Sequence, residues 1–255
     1  MKLIDTHCHL YSKEFDRDRE EMLQRAEKEG VERFYLPMVD SSSRDSLLAL
    51  EAAHPGVCFG MTGVHPISIK ENYLEELKIV EEDLRQRSWA AVGEIGLDFY
   101  WDRSFEAQQY VAFRTQIGWA LEHGLPIVIH SRDSMKESIA VVREMQKGAL
   151  RGVFHCFGGS GEEAREIAGL GFFMGIGGVV TYKNSQLGAV LAAVGLSNVV
   201  LETDAPYLAP VPFRGKRNES AYLRFVVDKI AAAVGISPEE VAAVTTANAE
   251  KLFGR

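Results

Sequence analysis

Short apolar runs alternate along this chain with longer stretches in which apolar residues recur every three or four positions. The runs at residues 3–7, 33–38, 57–64, 90–97, 126–130, 152–157, 172–179 and 199–203 read as β-strands. Between them lie helical patterns. Residues 17–28 put Met22, Leu23 and Ala26 on one face, and residues 106–122 carry a broad stripe of Val111, Phe113, Ile117, Trp119 and Leu121. Gly30, Pro55-Gly56, Gly124, Gly148 and Gly171 fall between elements, where breakers belong. Eight strands separated by eight helix-sized segments predict an α/β fold with a parallel sheet. At this length the expected solution is a closed (β/α)8 TIM barrel, with a doubly wound sheet as the alternative. From Asn218 onward the pattern is helical only, so extra C-terminal helices should close the barrel; Ser237-Pro238-Glu239-Glu240 is a well-formed helix start. No low-complexity stretch or long linker interrupts the pattern, so residues 1–255 are expected to form one domain.

Composition narrows the class. The chain of 255 residues is 46% hydrophobic and 25% charged, as in an ordinary soluble globular protein. It has no run of 18 apolar residues, which argues against a membrane span. The first strand begins within three residues of Met1, leaving no room for a signal peptide. The cysteines Cys8, Cys58 and Cys156 are scattered and odd in number, a reduced, cytoplasmic pattern. A net charge of −8 argues against a surface coated for bulk nucleic-acid binding while leaving room for a local phosphate site. No obligate protein partner is evident.

The predicted strands place the reactive side chains. His7 and His9 stand two residues apart at the end of the first strand, where alternation would aim both imidazoles at one point, as a divalent metal requires. His65 follows the third strand, Glu94 lies in the fourth, His130 ends the fifth, His155 is near the end of the sixth, and Glu202 and Asp204 end the eighth. Barrel enzymes assemble their sites at these C-terminal strand ends. His7, His9, Glu94, His130, His155 and Asp204 can face one another only across a barrel mouth, which predicts a metal centre. His54, beside Pro55, and His123, before Gly124, read instead as loop and helix-end dipole partners. Cys8 and Cys156 neighbour proposed ligands and are expected to pack as thiols. Gly175-Ile176-Gly177-Gly178 lacks dinucleotide-binding spacing and is expected to permit close packing.

The chain resembles the TatD-type metal-dependent deoxyribonucleases, within the wider amidohydrolase-like barrels, over essentially its whole length. The landmarks are Ile4-Asp5-Thr6-His7-Cys8-His9, Gly63-Val64-His65-Pro66, Gly93-Glu94-Ile95-Gly96-Leu97-Asp98 and Pro126-Ile127-Val128-Ile129-His130-Ser131-Arg132-Asp133. They continue with His155-Cys156-Phe157, Glu202-Thr203-Asp204-Ala205-Pro206 and Arg214-Gly215-Lys216-Arg217-Asn218. The resemblance implies hydrolysis of DNA phosphodiester bonds, exonucleolytic on single-stranded or frayed ends, with two divalent ions drawn from Mg, Mn or Zn. It implies His7, His9 and Asp204 on one ion, His130 and His155 on the other, and Glu94 bridging. Ions about 3.5–4 Å apart would clamp a phosphoryl oxygen and acidify a bound water. With two dications at +4 and Glu94 and Asp204 at −2, the mouth is expected at net +2 within a chain of −8. Glu94 and Asp204 are the expected catalytic carboxylates, Asp204 as general base.

Substrate contacts are expected from His65, as a donor to phosphate or as part of a structural turn, and from Arg132, either bidentate on phosphate or paired with Asp133 or Asp98. Glu202 could orient a ligand histidine, touch the metals, or be an ordinary strand carboxylate satisfied by Arg or Lys. Arg214, Lys216 and Arg217 could form a strip for a nucleic-acid backbone or a solvated basic loop. Tyr11, Lys136 and Ser220 depart from the family pattern without removing an expected ligand. Two alternatives stay open: a barrel cleaving a small ester, lactone, amide or phosphoester, and a non-catalytic metal-binding scaffold.

Overall fold

The computed structural model describes residues 1–254. Among them, parallel strands follow one another in chain order: β1 (Leu3–Asp5), β2 (Val31–Pro37), β3 (Cys58–Met61), β4 (Val92–Asp98), β5 (Ile127–Arg132), β6 (Gly152–Phe154), β7 (Phe173–Ile176) and β8 (Val199–Leu201). One ladder runs from β1 to β3 and another from β4 to β8. A parallel bridge from Thr62 to Val92 joins them, and the ring shuts where the Thr6 amide donates to Leu201 O at 3.0 Å. Successive strands are connected by α1 (Arg19–Lys28), α2 (Ser41–Ala53), α3 (Tyr73–Gln86), α4 (Glu106–His123), α5 (Met135–Met145), α6 (Gly161–Gly169) and α7 (Leu187–Val194). This is the expected (β/α)8 barrel, with α8 (Leu223–Val234) and α9 (Pro238–Phe253) after the last strand. Ser237 caps α9 by accepting from the Glu240 amide, as the sequence signature predicts. No helix among the described residues is long and apolar enough to cross a membrane.

Alternation divides the strand residues between two cores. Ile4, Tyr35, Met61, Ala91, Val128, Val153, Phe173 and Val200, one from each strand or its approach, form an inner cluster. Their sequence neighbours, such as Leu3, Phe34, Ile127, Ile129 and Val199, pack outward with the helices. The inner ring is plugged by Leu252 and Phe253 of α9, whose phenyl ring stacks on Tyr35 at 3.8 Å. The C-terminal helix therefore closes the end of the barrel opposite the reactive side chains. At the mouth, Asp5 ties the first and last strands together: its carboxylate accepts from the Thr203 amide and hydroxyl and from the Ser220 hydroxyl at 2.6–3.0 Å. Ser220, a departure from the family pattern, is thus a working part of the closure.

Several strands stop short of the apolar runs that predicted them. β1 ends at Asp5, β6 at Phe154 and β8 at Leu201, so His7, His9, His155, Glu202 and Asp204 stand on the loops that follow. The alternation argument for the His7–His9 pair therefore fails locally, although both rings still converge. The run through residue 179 leaves the ladder after Ile176 and becomes a 3-10 turn at Gly178–Thr181. There a Cβ on Gly178 would sit 2.1 Å from Leu208 O, and one on Gly175 would sit 2.0 Å from Glu202 Oε2. Close packing accounts for this glycine cluster.

β4 carries the one irregularity that the site depends on. Val92 pairs with Ile127 and Ile95 with Ile129, so three steps on β4 oppose two on β5. The extra residue is a β-bulge, and it re-aims Glu94: plain alternation would set it outward with Val92. Gly96, next along, has φ of 143° and lies so close to β5 that a Cβ would meet His130 O at 2.0 Å.

Gly96→Ala is accordingly expected to cost at least about 2 kcal/mol of stability, since strain and clash coincide. Gly118→Ala, inside α4 with nothing within 4 Å of its Cβ, should instead stabilise by roughly 0.5–1 kcal/mol. Urea denaturation of the two variants checks the opposite signs; equal midpoints would contradict the packing described for β4.

Candidate metal centre

Glu94 sits on the floor of the mouth with its side chain 3% exposed. Its two oxygens face different imidazoles. Oε2 lies 3.1 Å from His7 Nε2 and 3.9 Å from His9 Nε2. Oε1 lies 3.0 Å from His130 Nδ1, 3.4 Å from His65 Nε2 and 3.5 Å from His155 Nε2. Asp204 stands on the Oε2 side, with Oδ1 3.5 Å from His9 Nε2 and 3.8 Å from His7 Nε2. Its φ of 57° is in the left-handed region, which an aspartate tolerates better than most residues. The structure thus brings the six expected ligands together. Together with His65 they form overlapping groups of metal-ligating size, His7–His9–Glu94, His7–His155–Asp204 and His65–Glu94–His130.

The outer partners decide which ring nitrogen is free, reading each tautomer from its hydrogen bonds. Tyr11 donates its hydroxyl proton to Pro37 O at 2.7 Å, so at His9 Nδ1, 2.9 Å away, the phenol oxygen accepts, leaving a lone pair on Nε2. Asp98 Oδ2 takes His130 Nε2–H at 2.8 Å, leaving Nδ1 toward Glu94. Glu202 Oε1 accepts from the Cys156 amide at 2.7 Å and lies 3.0 Å from His155 Nδ1, an ion-pair approach without a well-aligned hydrogen bond, while Nε2 faces the centre. His65 is the opposite case. Its Nδ1 accepts from the Ile67 amide at 3.1 Å, so the neutral ring carries its proton on Nε2 and is a donor, not a ligand.

His7 supplies the test of fit to a cation. Both of its ring nitrogens are buried without a hydrogen-bond partner, although Nε2 approaches Glu94 Oε2 to 3.1 Å. A nitrogen and a carboxylate oxygen that converge without sharing a well-aligned proton are arranged as ligands of one positive centre. The nitrogen and oxygen donor set suits a divalent ion.

The charges follow from the same contacts. Burial alone would raise the Glu94 carboxyl, but His7, His65, His155 and the bond from His130 outweigh it and hold it well below its usual range. Burial likewise opposes charge on Asp204, and the His9 bond with His155 and His7 overcomes it. Burial works against a proton on His155, yet Glu202 and Glu94 push that ring up to about 10. Asp98 and Glu94 raise His130 against burial in the same way. His7 is lowered by burial and by His155, and His65 falls to about 4 through burial and His130.

The structure revises the expected charge balance. Asp98 and Glu202 stand directly behind His130 and His155, so two dications at +4 would meet four carboxylates at −4 instead of two. The floor is then neutral, and attraction for phosphate must come from open cation positions, local donors and Arg132 on the cavity wall. Of the expected strip of Arg214, Lys216 and Arg217, none lines the cavity of about 630 Å³ at the mouth. Arg217 is bound to Asp18 at 2.6 and 2.8 Å and lies over the Phe15 ring; Arg214 lies over Tyr182, and Lys216 is exposed. Arg132 does line the cavity, but its partners are the rings of Tyr100 and Trp101, not Asp133 or Asp98. Cys8 packs against Tyr35 O, and burial holds the Cys156 thiol well above its usual range. His54 pairs with Glu20 in its loop.

The sequence does not foretell the roles of Asp98, Tyr11 and Asp5: it offers Asp98 only as a possible partner of Arg132, and Tyr11 only as a departure from the family pattern. Asp98 had a signal, since it lies four residues beyond Glu94 on the same strand. Tyr11 had one too, at two residues beyond His9.

A model of the family described as TatD related DNase matches residues 4–254. YabD of Bacillus subtilis (strain 168), named as a metal-dependent hydrolase, is 37% identical over 252 residues, 98% of each chain. A protein of Erwinia tasmaniensis named 3'-5' ssDNA/RNA exonuclease TatD is 30% identical over 257 residues, 98% of this chain and 99% of its own. Among solved structures, YJJV, a TatD homolog of Escherichia coli K12, superposes with a TM-score of 0.93 at 29% identity, over 99% of this chain and 98% of its own.

Two outcomes follow for cation binding. A divalent ion at 100 times its Kd should add about 2.7 kcal/mol and raise Tm by roughly 5–10 °C. Glu94→Gln, which removes the charge facing both imidazole groups, should abolish most of that rise; an undiminished rise would place the cations elsewhere. Because Glu202 and Glu94 raise His155 to about 10, and Asp98 and Glu94 raise His130, in the ion-free protein, cation binding must displace protons held on these rings. Affinity should therefore weaken as pH falls, with one to two protons released, about the number of raised rings. Calorimetry in buffers of different ionisation enthalpy reads this directly, and zero net release would contradict the assignment.

Proposed function

The chain belongs to the TatD-related DNase family of metal-dependent hydrolases, and on that premise we propose that it hydrolyses phosphodiester bonds at single-stranded or frayed DNA ends. The observation that carries this reading is Glu94, whose two oxygens each face their own set of imidazoles beneath a nucleotide-sized mouth. His7, His9, Asp204 and Glu94 Oε2 would hold one divalent ion, and His130, His155 and Glu94 Oε1 the other. When bound, the pair supplies Lewis acidity to a phosphoryl oxygen and acidifies a water.

The chain's own residues do the rest. Asp204, at the rim of the floor, accepts the proton of the attacking water. His65, neutral and protonated on Nε2, donates to a phosphate oxygen. Asp98, Glu202 and Tyr11 hold the ligand rings in register. Residues 1–255 act as one hydrolase domain. Its three unpaired thiols suit a reducing compartment, the cytoplasm.

A second reading, hydrolysis of a small phosphoester or ester, is favoured by one observation. Arg217 is committed to Asp18, and none of Arg214, Lys216 and Arg217 lines the cavity.

Labelled single- and double-stranded DNA, RNA and a small diester, each with and without Mg²⁺, Mn²⁺ or Zn²⁺, separate the two. Preference for single strands by tenfold or more supports the nuclease reading, while turnover of the small diester alone supports the second. In ion-replete protein, Asp204→Asn should lower kcat by about 10²–10⁴ with oligonucleotide affinity nearly intact. A loss below tenfold removes Asp204 from the proton step.

A further inference from the structure

In an eight-membered ring of strands, the loops after β3 and β4 stand opposite those after β7 and β8. The first pair contributes Ile67 and Trp101 to the mouth cavity, and the second contributes Val179, Tyr207 and Leu208. Two apolar walls therefore face each other above the carboxylate–imidazole floor. Both carry large rings held out in solvent: Trp101 is 68% exposed and Tyr207 54%. Exposed aromatics grouped at the rim of a polar cavity call for an occupant with flat faces.

Neither wall is loose. The Arg132 guanidinium lies 3.9 Å over the Tyr100 ring and 5.2 Å from Trp101, and Tyr100 meets the indole edge-on at 4.9 Å. That brace holds the indole upright over the mouth. Across from it, Tyr207 is edge-on to His9 at 6.0 Å. Leu208 takes a φ of 51°, uncommon for a branched side chain, and its carbonyl fills the space that Gly178 leaves without a Cβ. Backbone held in that region beside a site points to a role for the side chain it presents.

We propose that these walls form a nucleobase slot, a conclusion that rests on the phosphodiesterase reading. The unpaired base at a strand end stacks on Trp101, the next base packs against Tyr207 and Leu208, and the phosphate between them lies over Glu94. Every base has a π-face, so such a slot tolerates sequence. A base within a duplex has both faces covered by its neighbours and cannot offer one to the indole. The slot thereby selects unstacked ends without a long basic groove.

The test compares two short single-stranded oligonucleotides, identical except that one ends in a tetrahydrofuran abasic residue. The wild-type enzyme should favour the base-ended strand by about 5- to 100-fold in kcat/KM, the range one stacked base supplies. In Trp101→Ala the ratio should fall toward one, and Trp101→Phe, which keeps a ring, should restore much of it. The base-ended strand should also quench tryptophan emission more than the abasic strand does. Equal wild-type rates on the two strands, or an unchanged ratio in Trp101→Ala, would overturn the slot while leaving the nuclease reading in place. Hydrolysis of neither strand, with a small ester turned over, would overturn both.

Discussion

A carboxylate buried without compensation is among the least favourable groups a protein can contain, and Glu94 is almost fully buried. Five imidazoles surround it, two near one oxygen and three near the other, and His7, His65, His155 and the bond from His130 hold it ionised. That single anion makes the rest of the mouth intelligible. It gathers side chains from loops that are far apart in sequence, and it joins Glu202 in raising His155 and Asp98 in raising His130. Its two oxygens face different sets of imidazoles.

The barrel supplies this arrangement through a few specific devices. The β4 bulge turns Glu94 inward, and Gly96 lets β5 come close enough for His130 to reach it. Asp5 locks the first and last strands with bonds from Thr203 and Ser220, and burial raises its carboxyl to about 6 despite them. Tyr11, Asp98 and Glu202 then stand behind three of the four ligand rings, His9, His130 and His155. Rigid outer support of this kind is what separates a metal site from a chance cluster of histidines.

Much of this was legible in the sequence. The spacing of apolar runs gave eight strands in order, because strand and helix periods differ so clearly in βα units. The positions of His65, Glu94, His130 and His155 relative to those strands pointed at the mouth. Other features were beyond reach for physical reasons. A bulge adds one residue without changing composition, so nothing marked Glu94 as re-aimed. His7 and His9 converge from a loop, where period-two reasoning does not apply. Arg217 looked available for phosphate because its partner, Asp18, lies 199 residues away in sequence. Tyr11 and Ser220 looked like departures because their uses, at His9 and Asp5, exist only in three dimensions.

The central claim is that Glu94 lies between two cation positions. Crystals of the protein equilibrated with Mn²⁺ and measured for anomalous scattering test it most directly. The account predicts two peaks about 3.5–4 Å apart, one beside Glu94 Oε2, His7, His9 and Asp204, the other beside Glu94 Oε1, His130 and His155. A single peak, or a pair that does not share Glu94, would contradict it.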